Sequence, residues 1–316
     1  MARLVGKEGS SVDREGSAGE CMLCPRRCRA KRGAGQKGYC GADDRIMVAR
    51  AALHMWEEPC ISGTNGSGAV FFCGCPLHCI YCQNHEISDG GKGEAVSIKE
   101  LAEIFLSLQE QGAHNINLVT AGHYAPQVVK ALRTAKEGGL TLPIVWNSSG
   151  YERAGMLKML EGLVDIYLPD FKYLDPELAG ALSHAPDYPA IAMAALEEMV
   201  RQTQKEGNVF SEDGQMKKGI IVRHLLLPGH VKHSLQVVEY LLKTYGSRIW
   251  ISLMSQYTPM PAVQEDPLLG RRVTKREYDR LVRGALEMGL EQGFIQEGDV
   301  ARESFIPAFD HTGIKI

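Results

Sequence analysis

Three cysteines, Cys75, Cys79 and Cys82, stand in the run CPLHCIYC with C-x3-C-x2-C spacing. An ordinary iron–sulfur cluster uses four thiolates, and this loop supplies three. A cubane cluster held here would keep one iron open, where a small molecule could bind and be reduced. The spacing therefore points to a reactive cluster rather than a passive electron carrier. The competing reading is a structural zinc site, which asks for four ligands. Cys73, two residues upstream, could in principle be the fourth.

A second group lies nearer the start. Cys21, Cys24, Cys28 and Cys40 follow a C-x2-C-x3-C-x11-C spacing. Four thiolates over so short a stretch can close a tetrahedral site for zinc or an iron–sulfur cluster. A closed site has no open position, so its role is structural or electron relay, and the structural role is favoured. A short, glycine-rich head buries little core, and metal binding could supply its folding energy. Gly41 allows the tight turn after Cys40. Seven of the chain's nine cysteines fall in these two groups. In a long chain with no secretory features, such clustering reads as metal ligation rather than a disulfide framework. Cys60 and Cys73 are read as structural.

The 316 residues carry a net charge of -3, with 44% hydrophobic and 23% charged residues. That is an ordinary globular composition, with no electrostatic pull toward nucleic acid. No apolar run approaches the ~20 residues of a membrane span, and no signal peptide opens the chain. A cytoplasmic protein is expected. Residues 1–20, rich in Gly, Ser and charge, are expected to be a disordered lead-in. Arg26, Arg27, Arg29, Lys31 and Arg32 crowd together and read as a solvated surface.

The elements that must position these cysteines follow from periodicity. Apolar runs at 69–73, 115–120, 142–146, 164–168, 219–227 and 249–254 read as strands. Helical spacing appears at 97–111, 125–137, 151–160, 176–182, 191–205, 233–245 and 274–288. Ser97 and Glu100 can form a capping box. Strand-then-helix repetition implies βαβ units and a parallel sheet, and continuous apolar runs fit strands covered on both faces. Six units fall short of the eight of a closed barrel. The expected fold is α/β, a partial (β/α)6 TIM-like barrel spanning 61–316, with a Cys-rich module at 21–60. Its active site should lie at the C-terminal strand ends, where the cysteine loop sits.

The C-x3-C-x2-C loop, with Tyr81 before the last cysteine, resembles the signature of the radical SAM (S-adenosylmethionine) superfamily. The extension Cys82-Gln83-Asn84 is similar to the pyruvate formate-lyase activating enzymes. Glu58-Pro59-Cys60-Ile61-Ser62-Gly63, Gly66-Ser67-Gly68, Gln256-Tyr257 and Phe305-Ile306-Pro307-Ala308-Phe309-Asp310 resemble their PflX-like relatives. The resemblance runs from about residue 21 to the end.

It implies a [4Fe-4S] cluster on Cys75, Cys79 and Cys82, with SAM chelating the fourth iron. One-electron reduction would then yield a 5′-deoxyadenosyl radical that abstracts hydrogen from a substrate. By the same resemblance, Tyr81 lies near the SAM adenine. Thr120 or His123 touches SAM or substrate, where many relatives instead carry a Gly-Gly-Glu run for the amine. Asn147 and Ser148 contact SAM and help hold a monovalent cation. Asp170 lies near the cation or SAM, Lys172 points toward the ligand, and Arg223 meets the SAM carboxylate. His224, His230, Gln256 and Tyr257, at or beyond strand ends, could face substrate. An electron donor such as flavodoxin or ferredoxin is implied. The substrate would be a glycine on a glycyl radical enzyme or peptide. Modification of another peptide or small molecule, or a non-catalytic iron–sulfur or zinc protein, are the alternatives.

Overall fold

The computed structural model describes residues 19–296 and 307–314. The lead-in expected at 1–20 falls almost wholly outside the described residues, as do Phe305 and Ile306. Among the described residues ten strands form the sheet: β1 Ile46–His54, β2 Ser67–Phe72, β3 Glu94–Val96, β4 Ile116–Val119, β5 Ile144–Ser148, β6 Ile166–Pro169, β7 Val209–Phe210, β8 Met216–Leu225, β9 Trp250–Met254 and β10 Gly293–Ile295. Their order is β10-β9-β8-β6-β5-β4-β2-β1-β3, with β7 paired to β8. From β2 through β10 the main path is parallel throughout. Six of these strands are the expected (β/α)6 series, in the expected order, and the α/β open-barrel architecture stands.

The strands owe their placement to composition. β2, β4, β5 and β6 are buried at every position. Val70, Phe72, Leu118 and Trp146 pack outward with Leu101, Phe105 and Val128 of the flanking helices. Ala69, Phe71 and Val119, and separately Val145, Ile166 and Leu168, form smaller clusters on the other face. The Ser97–Glu100 capping box opens the helix Ile98–Glu110 as expected, and Thr274 with Glu277 forms a second one at Lys275–Glu287.

Three features depart from the sequence expectation. The stretch at 46–54, read as the end of the Cys-rich module, is instead β1, antiparallel to β2 and part of the sheet. β3 pairs antiparallel to β1, and the short β10 adds a further parallel strand beside β9. The helix expected at 151–160 shrinks to Ala154–Leu157 and a 3-10 turn at Lys158–Leu160. Tyr151 and Glu152 are held by tertiary hydrogen bonds to Asp187, Trp146 and Ser148, which draw them off the helix.

The C-terminal segment 307–314 lies along β1. Ala51 N donates to Thr312 O at 2.9 Å and His311 N to Ala49 O at 3.1 Å. Arg50 pairs with Asp310 at 2.6 Å. Among the described residues, no helix is long and apolar enough to cross a membrane.

Candidate active site

The cysteine loop leaves β2 through Gly74, whose φ of +92° suits only glycine. A Cβ there would stand 2.5 Å from the Cys40 carbonyl oxygen. Cys75, Cys79 and Cys82 then line one cavity of about 210 Å³ at the C-terminal strand ends. Thr120, Asn147, Ser148, Asp170, Lys172 and Arg223 line the same cavity, as do Tyr81, Gln83 and Gln256. Burial pushes the Cys75 thiol up to about 11, with the neighbouring Cys79 adding to it. Cys79 is raised by burial against the opposing Lys172 charge, and Cys82 by burial and by both other cysteines. The three thiols share one cavity, and it is larger than a single ion needs. Among the described residues no three His, Cys, Asp or Glu side chains converge on a single-ion position.

On the wall of the same cavity stands a partly buried charge network. Arg223 Nε donates to Asp170 Oδ1 at 3.0 Å and Nη2 to Asn147 Oδ1 at 2.6 Å. Lys172 Nζ donates to Asp170 Oδ2 at 2.7 Å. Burial alone would raise Asp170, but the Lys172 and Arg223 charges outweigh it and hold the carboxyl below its usual range. β5, β6 and β8 are neighbours, so their ends present Asn147, Asp170 and Arg223 side by side. Gly150, at φ +73°, lets the chain pass the Asp170 carbonyl, where a Cβ would come within 2.4 Å. Thr120 follows β4 at φ +60°, a costly conformation for a β-branched residue and a frequent mark of functional sites.

Sequence reasoning missed Glu57. Its side chain is 8% exposed and lines the cavity, reaching in just beyond β1. Asn117 and Asn147 donate to its Oε1 at 3.0 and 3.3 Å, and Arg223 to its Oε2 at 3.2 Å. Burial raises Glu57 and its neighbour Glu58 above the carboxylate range, with Arg223 opposing in both. The one available signal was an acidic pair directly before Pro59.

Other residues singled out in the sequence have partners within the chain. His123 is buried, its Nε2 donating to Cys73 O at 2.7 Å, and it does not line the cavity of the three cysteines. His224 Nδ1 donates to Phe171 O, His230 Nδ1 to Pro228 O, and Tyr257 to Leu269 O. Cys73 Sγ donates to Lys92 O at 2.8 Å, and Cys60 packs in the smaller interior cluster with Ile61 and Met216. Neither lines the cavity.

The Cys-rich head packs directly on this site. Cys24 and Cys40 are raised by burial, and each also feels the charge of the other head cysteines. Cys28 and Cys40 sulfurs both border Gly38. The basic cluster is only partly the solvated surface expected. Arg32 is 8% exposed, donating to the Asp43 and His123 carbonyls. Arg26 donates to the carbonyls of Pro76, His184 and Ser183 and lies 4.3 Å over the Tyr39 ring. Unmet carbonyls in the barrel rim draw both guanidiniums inward.

Residues 69–211 match the model of the Radical SAM superfamily. The chain carries a radical SAM domain. That domain begins in β2 and includes the cysteine loop and the ends of β4, β5 and β6. An uncharacterized protein of Methanocaldococcus jannaschii is 26% identical over 279 residues, covering 86% of this chain and 75% of its own length. HydG, a maturase of the [FeFe]-hydrogenase, superposes with a TM-score of 0.50 at 16% identity, over 73% of this chain and 52% of its own. Streptococcus suis SuiB bound to S-adenosylmethionine gives 0.46 at 12% identity, over 71% of this chain and 48% of its own. The chain spans about half the length of these two structures. At this identity the HydG likeness is one of fold alone.

Proposed function

We propose that the chain is a radical SAM enzyme whose cluster is held by Cys75, Cys79 and Cys82 and whose SAM lies against Asn147, Ser148, Asp170, Lys172 and Arg223. The observation that carries this reading is the single cavity shared by three thiols and a partly buried charged wall. Cluster and SAM together supply a one-electron reductive cleavage that gives a 5′-deoxyadenosyl radical. The protein's own part is to bind, orient and keep water out. Arg223 offers a planar guanidinium to a carboxylate. Lys172, close enough for its charge to act on Cys79, offsets negative charge at the loop.

Glu57 takes the place of the missing Gly-Gly-Glu run. Glu57, Glu58 and Asp170 set three carboxylates beside two cations, Arg223 and Lys172, in one partly buried group. The group is one positive charge short when fully ionised. An ammonium entering against Glu57 balances it and replaces the proton that burial otherwise favours.

The substrate reading follows the resemblance to activating enzymes, carried by Cys82-Gln83-Asn84 and Asp170-Phe171-Lys172. Hydrogen is taken from a glycine on a partner protein's loop, in a cytoplasm-like reducing compartment, with the electron from a flavodoxin or ferredoxin. The head cysteines Cys21, Cys24, Cys28 and Cys40 hold a closed, structural zinc or iron–sulfur site. A monovalent cation near Asp170 and Asn147 completes the proposed ligand set.

Anaerobic reconstitution followed by dithionite and SAM tests the reaction class. The expected product is 5′-deoxyadenosine, absent in Cys79→Ala while the head metal remains by elemental analysis. A loaded cluster that yields no 5′-deoxyadenosine sinks the enzyme reading. A glycine-centred EPR signal on an added glycyl radical enzyme tests the substrate, and a peptide or small molecule modified instead overturns it.

A further inference from the structure

We propose that Ser183 tunes the reduction potential of the cluster through a directed chain of hydroxyls ending on Cys79, an inference that rests on the cluster reading above. Ser183 closes the helix Pro176–Ser183 and is fully buried. Its Oγ donates to Cys79 Sγ at 2.9 Å. Tyr173 lies 2.8 Å behind it, and Tyr81 lies 2.5 Å behind Tyr173, oxygen to oxygen. All three hydroxyls are buried.

Ligation fixes the direction of this chain. A cluster-bound cysteine is a thiolate and only accepts. Ser183 must therefore donate to Cys79, so it accepts from Tyr173, which in turn accepts from Tyr81. Each hydroxyl polarises the next, so the last bond, onto sulfur, is strengthened by those behind it.

The contact is built in rather than incidental. Ile80 N, on the cysteine loop, donates to Leu182 O at 3.0 Å, tying loop to helix end beside Ser183. His184 adopts φ +52° and turns the chain there. Arg26 then reaches the Ser183 and His184 carbonyls and the Pro76 carbonyl with one guanidinium. The head thereby clamps the helix end and the loop together. Cys75 Sγ receives a longer backbone donation, from Leu77 N at 3.5 Å.

Hydrogen bonds to cluster sulfurs shift potentials because the reduced cluster carries more negative charge on them. One electron from a low-potential donor enters, no bond is made or broken, and the proton stays on Ser183. The donation stabilises the reduced form and raises the potential. Ser183 is thus a positioning residue acting through Cys79.

The test is an EPR-monitored redox titration of the full chain, reconstituted anaerobically. Ser183→Ala should make reduction about tenfold less favourable, a fall of about 59 mV for one electron. Ser183→Thr, which keeps the hydroxyl, should stay near wild type. Tyr173→Phe should shift the same way by less. A loaded Ser183→Ala with an unchanged potential overturns the inference. Should that variant not load its cluster, an unchanged potential in Tyr173→Phe overturns it equally. If the wild-type chain assembles no [4Fe-4S] signal, the cluster reading itself falls, and this inference with it.

Discussion

The amide of Cys75 donates to the carbonyl of Cys40 at 3.1 Å, so a residue of one cysteine group is bonded by its backbone to a residue of the other. The head module and the barrel loop share a hydrogen bond at the residue where the loop begins its thiol run. Whatever holds the head together thereby sets where Cys75 stands.

Gly74→Ala tests this junction. Its Cβ would meet the Cys40 oxygen at 2.5 Å, in a backbone conformation that alanine disfavours. The expected cost is about 2 kcal/mol, read as a lower midpoint in thermal unfolding. Iron bound per chain after reconstitution should fall with it. Full iron loading at wild-type stability would show that the junction does not matter.

Arg32→Ala should destabilise by about 1–3 kcal/mol, because it strands the buried carbonyls of Asp43 and His123. Lys31→Ala, at an exposed neighbour, should change stability by less than about 0.5 kcal/mol. Denaturant midpoints on the two variants separate these outcomes. Equal effects would return the basic cluster to a solvated surface.

Glu57→Gln should weaken SAM binding roughly tenfold, the equivalent of about 1.4 kcal/mol, with the cluster still loaded. Glutamine keeps the size and an acceptor for Asn117 and Asn147 but removes the charge offered to the ammonium. Calorimetric titration of reconstituted protein measures it. Unchanged affinity would move the amine contact elsewhere.

Glu152 predicts a pH signature. Burial lifts its carboxyl to about 7, against lowering by Ser148 and Trp146. The folded chain therefore holds a proton that the unfolded chain has released above about 4.5. Stability falls as pH rises from about 4.5 to about 7, then levels, by up to about 3 kcal/mol. Glu152→Gln should abolish that slope and be the more stable protein at pH 8. Parallel slopes in chemical unfolding at pH 5, 6, 7 and 8 would refute the assignment.

The sequence by itself determined the cysteine loop, the six parallel strands, the capping box at Ser97, and the placing of Asn147, Asp170 and Arg223 at strand ends. Each is a local signal, a spacing or a periodicity, and local signals survive in one dimension. Tertiary structure alone decided the rest. β1 joined the sheet because its antiparallel partner β2 was there to receive it. Glu57 entered the cavity because Asn117, Asn147 and Arg223, on three other strands, offered donors. Arg26 and Arg32 turned inward because carbonyls far along the chain lacked partners. Tyr81 lines the cavity with its hydroxyl held by Tyr173, far along the chain. Periodicity reports which side of an element is buried. It does not report which polar group will meet it there, since that is set by hydrogen-bond demands that arise only after the elements have packed.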